Sequence, residues 1–163
     1  MTIFRKCTDR DLPQIARLSR GWSEEGVTFA YPAASVEHLA KHLGDYFWVA
    51  VDEGNSGESA AECGEATDGE CGSKVIGYTY GAIKTSPYPV FPGEQYLEIY
   101  EVFVHPDWRS GGVGQGLVER IVAEVESHGV RHALVGSSNL DWQRTVQFYE
   151  KLGFKMWYVQ MYR

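Results

Sequence analysis

The segment Arg109-Ser110-Gly111-Gly112-Val113-Gly114-Gln115-Gly116 constrains this chain more than any other. It separates an apolar, strand-like run at 96–104 from an amphipathic, helix-like run at 117–125. A strand that turns through glycines into a helix leaves backbone N–H groups bare at the positive end of the helix dipole, where phosphate oxygens bind. Missing Cβ atoms let the anion come close to the backbone. The segment therefore predicts an α/β chain with a phosphate-bearing ligand.

Two common phosphate loops do not fit. A mononucleotide loop needs Lys and Ser/Thr after its last glycine, but Leu117 follows Gly116. A dinucleotide loop needs a glycine where Leu117 again stands, and it follows a first strand rather than one this late in the chain. What remains is Arg-x-x-Gly-x-Gly. A second segment, Phe148-Tyr149-Glu150-Lys151-Leu152-Gly153-Phe154, reads as a helix end. Asp141 is its N-cap candidate. Val146, Tyr149 and Leu152 share a helical face with Phe148, and Gly153 sits at the C-cap position.

In this order the two segments resemble the GCN5-related N-acetyltransferase (GNAT) family. The resemblance covers the second half of the chain, and in the first half it is one of element order. It implies acetyl-CoA as co-substrate, with its pyrophosphate on the backbone N–H groups of Ser110, Gly111, Gly112, Val113, Gly114 and Gln115. Arg109 would stand at the edge of that cradle, where a guanidinium fork suits phosphate. Val102, Phe103 and Val104 would pair with the pantetheine amides like an added strand. Tyr149 would be the general acid facing the CoA sulfur. The family often carries an Asn seven residues before this tyrosine. Here that position is Trp142, Thr145 replaces a small residue, and Asn139 lies three residues further upstream, within reach of the cofactor if the turn is longer.

Acetyl transfer also needs a group that takes the proton of the amine. Glu98 and Glu101 lie in an otherwise apolar strand, where a carboxylate is costly unless paired or used. Strict alternation puts them on opposite faces unless a bulge intervenes. Glu101 is the better base candidate, being nearer the loop and at a position where the family often has an acid. The resemblance thus implies transfer to a primary amine, on a small molecule or a protein, by direct attack in a ternary complex. A non-catalytic acyl-CoA-binding module and an unrelated phosphate-binding α/β domain are the alternatives.

The remaining elements fit one domain spanning 1–163. A strand at Thr2–Lys6 leads to a helix capped by Thr8 or Asp9, with Leu12, Ile15, Ala16 and Leu18 inward and Pro13 in its first turn. Ser35 caps a second helix, with Val36, Leu39, Ala40 and Leu43 inward, that ends at Gly44. Strands follow at 46–51, 74–84, Gln95–Val104, 131–136 and 156–162. The order β-α-α-β-β-β-α-β-α-β gives a mixed α/β fold, a mostly antiparallel sheet with a parallel portion near the loop and helices on its faces. Residues 54–73 have almost no large apolar side chains and read as a mobile insertion. Pro87, Pro89 and Pro92 forbid regular structure at 85–94.

The acceptor pocket is expected from 21–32, 85–94 and the last strand. Trp22, Phe29, Tyr31, Tyr88, Phe91, Trp157 and Tyr158, with Glu24, Glu25 and Glu94, would form a cage for a cation. The formal net charge of −7 speaks against a nucleic-acid partner. No apolar run reaches membrane-spanning length and the N-terminus lacks a signal-peptide core, so a cytoplasmic location is expected. Cys63 and Cys71 sit in the insertion, where a cytoplasmic compartment disfavours a bridge, and Cys7 makes the number odd. His38 and His42 are four apart, but Leu39 stands where a metalloprotease needs Glu, and no metal site is expected. His105 could relay a proton. The last strand, as a sheet edge, points to a possible homodimer.

Overall fold

The computed structural model describes residues 1–44, 46–54 and 73–161. The expected insertion, with Cys63 and Cys71, falls almost wholly outside them. Among these residues five strands form one sheet in sequence order: β1 (Thr2–Lys6), β2 (Tyr46–Asp52), β3 (Lys74–Thr85), β4 (Gln95–Val104) and β5 (His132–Val135). The first three pairings are antiparallel and β4–β5 is parallel. The parallel pair needs a crossover, and helix α3 (Val113–Ser127) supplies it. Helices α1 (Leu12–Glu25), α2 (Val36–Ala40) and α4 (Trp142–Glu150) complete the elements.

The sheet buries both faces. On the α1–α2 side Leu12, Ile15 and Leu39 pack against Phe47, Val49, Tyr78, Tyr80 and Phe103. On the α3–α4 side Leu97 and Ile99 pack against Val118, Ile121 and Val125, with Val102 and Tyr149 at the margin. No helix among the described residues is long and apolar enough to cross a membrane.

Several boundaries differ from the sequence reading. Helix α1 runs through Gly21 to Glu25, where Gly26 caps it at φ 64°, so part of the expected pocket loop is helical. Helix α2 stops at Ala40, and a turn carries Leu43 to the core. Helix α3 starts at Val113, inside the glycine segment.

The last strand does not form over 156–161. That stretch has no regular structure, its side chains are exposed, and residue 162 lies outside the described residues. Aromatic and β-branched residues favour a strand only when a pleated, half-buried surface receives them. Here Trp157 leans on Tyr88 instead, at 5.6 Å between ring centroids. Among the described residues the sheet edge on this side is β5.

Candidate functional site

The site forms where β4 and β5 part. Their pairing runs from Tyr96–His132 to Ile99–Val135 and stops. The next stretch of β4, up to Val104, has β3 on one side only. The N–H of His105 goes to the carbonyl of Ile76 on β3, at 2.8 Å. Alternation therefore turns the peptide groups of Val102 and Val104 away from β3, toward the opening. Among the described residues no strand lies beside that stretch of β4 on the side away from β3.

At the foot of the opening lies the glycine segment. Pro106–Trp108 form a single 3-10 turn. Ser110 then takes φ 67° and Gly112 φ 81°, both left-handed. This contour turns successive N–H groups to one side, an anion-binding concavity. The first backbone bond of α3 runs from Gly116 N–H to Gly112 at 2.9 Å. Among the described residues the N–H groups from Ser110 to Gln115 have no acceptor.

The partners of Arg109 lie outside the glycine segment. Its two terminal nitrogens donate to the Glu25 carboxylate at 2.8 Å each, and its Nε donates to the Val104 carbonyl at 3.0 Å. It staples the end of α1 to the loop.

Tyr149 approaches from the α3–α4 side. Asp141 caps α4 by accepting the Arg144 N–H, and Gly153 closes it at φ 85°. The ring packs between Phe148 and Phe154, at 4.9 and 5.4 Å. Its hydroxyl has no hydrogen-bond partner among the described residues. Burial pushes the phenol pKa well up, so the group stays protonated and able to donate.

On the opposite face the two glutamates lie on the same side, against the alternation expected. Tyr80 pairs with Glu101 but Gly81 pairs with Ile99, so Tyr100 is an extra residue in β4. This bulge resets the parity. Leu97, Ile99 and Val102 face α3, while Tyr100 and Phe103 face α1 and α2. Glu98 is ion-paired with Lys84, which stacks over Tyr100 at 5.1 Å. Glu101 accepts from the Tyr78 hydroxyl at 2.8 Å.

Asn139 lies on the loop after β5. Its Oδ1 accepts the Asp141 N–H at 2.8 Å, so that oxygen shapes the turn. The same loop carries a feature the sequence did not signal, an isolated antiparallel bridge between Thr28 and Asn139. Phe29 N–H donates to Ser138 at 3.0 Å and Leu140 N–H to Val27 at 2.8 Å. The α1–α2 loop is thereby strapped to the β5–α4 loop.

The expected aromatic cage is two separate groups. Trp22 stacks on Tyr31 and Phe103, at 4.3 and 5.2 Å. Tyr88, Phe91 and Trp157 gather around Tyr96 and His132 instead. Glu25 is held by Arg109, and Glu94 by His132 at 2.9 Å. His105 accepts the Asp107 N–H at 3.3 Å and shapes its own turn. His38 and His42 meet edge to face at 5.2 Å, and no group of metal-ligating side chains occurs among the described residues.

The family model for the GNAT acetyltransferase domain matches residues 43–156. The chain belongs to this family. It is 26% identical over 111 residues to mycothiol acetyltransferase of Thermobifida fusca, an overlap of 68% of this chain and 29% of that protein. The chain thus spans under a third of this curated relative. An acetyltransferase of Trypanosoma brucei superposes with a TM-score of 0.65 at 21% identity, covering 100% of this chain and 99% of that one. A predicted acetyltransferase of Clostridium acetobutylicum, solved with acetyl-CoA, gives 0.66 at 17% identity over 99% of this chain and 96% of that one. At these identities both likenesses are ones of fold.

Proposed function

We propose that this chain is an N-acetyltransferase that moves an acetyl group from acetyl-CoA to a primary amine by direct attack in a ternary complex. The observation that carries this reading is the opening between β4 and β5. An edge of β4 with no strand beside it, at Val102 and the Val104 N–H, meets a loop whose six N–H groups, from Ser110 to Gln115, have no acceptor among the described residues. A ligand with amides at one end and a pyrophosphate at the other suits that pairing. Val102, Phe103 and Val104 line the arm of acetyl-CoA. The loop backbone holds the phosphates, and Arg109, tied to Glu25, keeps the loop in shape. Asn139 has its side-chain nitrogen left for the ligand.

Tyr149 donates a proton to the leaving sulfur from one face of the sheet. Glu101 takes the proton of the amine from the other, while Glu98 is committed to Lys84. The activity belongs to a single domain spanning 1–163, in the cytoplasm.

Calorimetry with acetyl-CoA, and ADP as control, tests the reading. Micromolar binding of acetyl-CoA with much weaker ADP binding is expected. Equal binding of both, or none, overturns it. Tyr149→Phe separates the enzyme from a binding module. Turnover should fall about 100-fold or more, the contribution of a positioned general acid, with acetyl-CoA affinity kept. Turnover left intact would remove Tyr149 from the mechanism.

A further inference from the structure

Gln14, Arg17, Leu18, Gly21 and Glu25 recur at helical spacing and form one stripe along α1. The stripe borders a cavity of about 470 Å³, a size that suits a small organic ligand. Its far wall is the start of β3, at Lys74 and Val75, and the end of β4, at Phe103 and His105. Among the described residues, nothing from β5, α3, the glycine segment or Glu101 lines it. The cavity is separate from the opening between β4 and β5.

Gly21 helps to keep it open. A glycine inside a helix weakens it relative to alanine. The backbone does not ask for glycine here, because the φ of Gly21 is not left-handed. Packing does not ask for it either, because a Cβ would meet nothing within 4 Å. The space left by the missing side chain belongs to the cavity.

The floor is apolar and the rim is cationic. Leu18, Val75 and Phe103 supply the floor, the last two buried. Arg17 and Lys74 are exposed at the rim and have no acidic partner among the described residues. Gln14 gives its side-chain oxygen to the Val75 N–H at 2.9 Å, which leaves its amide nitrogen as a donor. The acids nearby are already matched. Glu25 accepts two bonds of 2.8 Å from Arg109, and Asp107 lies 3.6 Å from His105. An adjoining cleft shares Gln14, Arg17 and Lys74, and there Asp11 is taken by Arg5 while Asp9 stands beside Arg10. Two cations thus stay uncompensated at the cavity, on a chain whose net charge is −7.

We propose that this cavity binds a small carboxylate with an apolar body. The carboxylate meets Arg17, Lys74 and the Gln14 amide. The hydrocarbon lies on Leu18, Val75 and Phe103, in the space beside Gly21. Pairing with two cations and a neutral donor favours the anionic head, and removal of the floor from water favours the body. An amine of the same shape meets two like charges. An uncharged analogue forgoes the pairing, and a bare anion forgoes the burial. The site stands apart from the transferase reading.

Calorimetry on the full chain tests it. Phenylbutyrate is the probe, with phenylbutanol, phenylbutylamine and acetate as controls. Phenylbutyrate should bind with a Kd of about 0.1–1 mM, ordinary for a ligand of its size. Phenylbutanol and acetate should bind about 10-fold or more weakly, the effect of losing charge-assisted bonds or apolar burial, and phenylbutylamine not at all. Arg17→Gln and Lys74→Gln together should bring phenylbutyrate down to the level of the alcohol. Both positions are exposed, so the fold is kept, and thermal unfolding checks it. Gly21→Leu puts a side chain into the cavity and should abolish binding. Saturating acetyl-CoA should leave phenylbutyrate bound. Equal binding of acid and alcohol, an unchanged Kd in the double variant or in Gly21→Leu, or no binding at all would overturn the proposal. Full exclusion by acetyl-CoA would do the same, by giving the cavity to the cofactor.

Discussion

Gly81→Ala should damage both stability and the site. Gly81 sits in β3 beside the bulge, where a Cβ would lie 2.3 Å from the Glu98 carbonyl oxygen and 3.1 Å from its carbon. Ordinary carbon–oxygen contact is about 3.3 Å, so β3 and β4 must separate by about 1 Å. Both groups are backbone in the middle of a sheet, and neither can rotate aside. Overpacking of this kind costs about 1–3 kcal/mol, and each ladder hydrogen bond stretched adds about 1. The total is about 3–4 kcal/mol. At about 2–4 °C per kcal/mol for a chain of this size, Tm should fall by roughly 6–16 °C. Because Tyr100 and Glu101 owe their placement to the bulge, activity of the fraction still folded should fall as well. Gly21→Ala is the control. It lies inside α1, where a Cβ meets nothing within 4 Å, and should stabilise by about 0.5–1 kcal/mol through helix propensity. Scanning calorimetry on both variants decides. A Gly81→Ala Tm within 2 °C of the parent, an allowance of under about 1 kcal/mol, would refute the close approach and the bulge built on it.

Other tests are simpler. Asp11, 4% exposed, takes both Arg5 nitrogens at 2.7 Å and the Thr8 N–H and hydroxyl at 2.8 Å. Burial alone would raise its pKa, but these bonds outweigh it and leave the carboxyl below its ordinary value. Its stabilisation is therefore present above the ordinary carboxylate pKa, roughly 3.9, and is lost as pH falls through the lower folded value. Asp11→Asn should cost about 2 kcal/mol at pH 7, below the buried-pair range because Arg5 is partly exposed, and the gap to the parent should close below about pH 3 in urea titrations. A gap independent of pH would contradict the pairing. Burial pushes the Cys7 thiol up to about 12, so at pH 8 only about one in ten thousand is thiolate. In a Cys63→Ser, Cys71→Ser background, iodoacetamide should label the folded chain at least about 100-fold more slowly than the unfolded one, and equal rates would contradict the burial.

How far the sequence could be read depends on how local the cause is. The glycine turn and the cap of α4 are decided within a few residues of chain, and both stand where their local chemistry puts them. The bulge is not local. Alternation along β4 gives the wrong parity for Glu98 and Glu101 because the cause lies across the ladder, in the pairing of Gly81. That glycine, isolated in a strand-like run, was the available signal, since such a residue marks a bulge or a close backbone approach. Gly116 misleads in the opposite sense. It reads as part of the phosphate turn, yet it sits inside α3, where a Cβ would lie 2.5 Å from the Phe4 ring. Arg109 shows a further limit. A sequence supplies a guanidinium beside a phosphate loop but not the Glu25 carboxylate, 84 residues away, that claims it.

These non-local features meet on one strand. Extra length at Tyr100 and the early end of β5 together leave peptide groups of β4 without a partner in a partly buried position. Such groups cost about 1–3 kcal/mol each when left dry, so the free protein carries hydrogen-bonding capacity in reserve for a strand-like ligand. The end of α1 and the loop that follows it touch both ends of that opening, through Glu25 on Arg109 and through Val27 and Phe29 on the loop after β5. The loop continues into Tyr31, whose hydroxyl lies 2.7 Å from the buried Ser19 hydroxyl. A ligand that fills the opening therefore bears on contacts that also hold the α1–α2 loop in place.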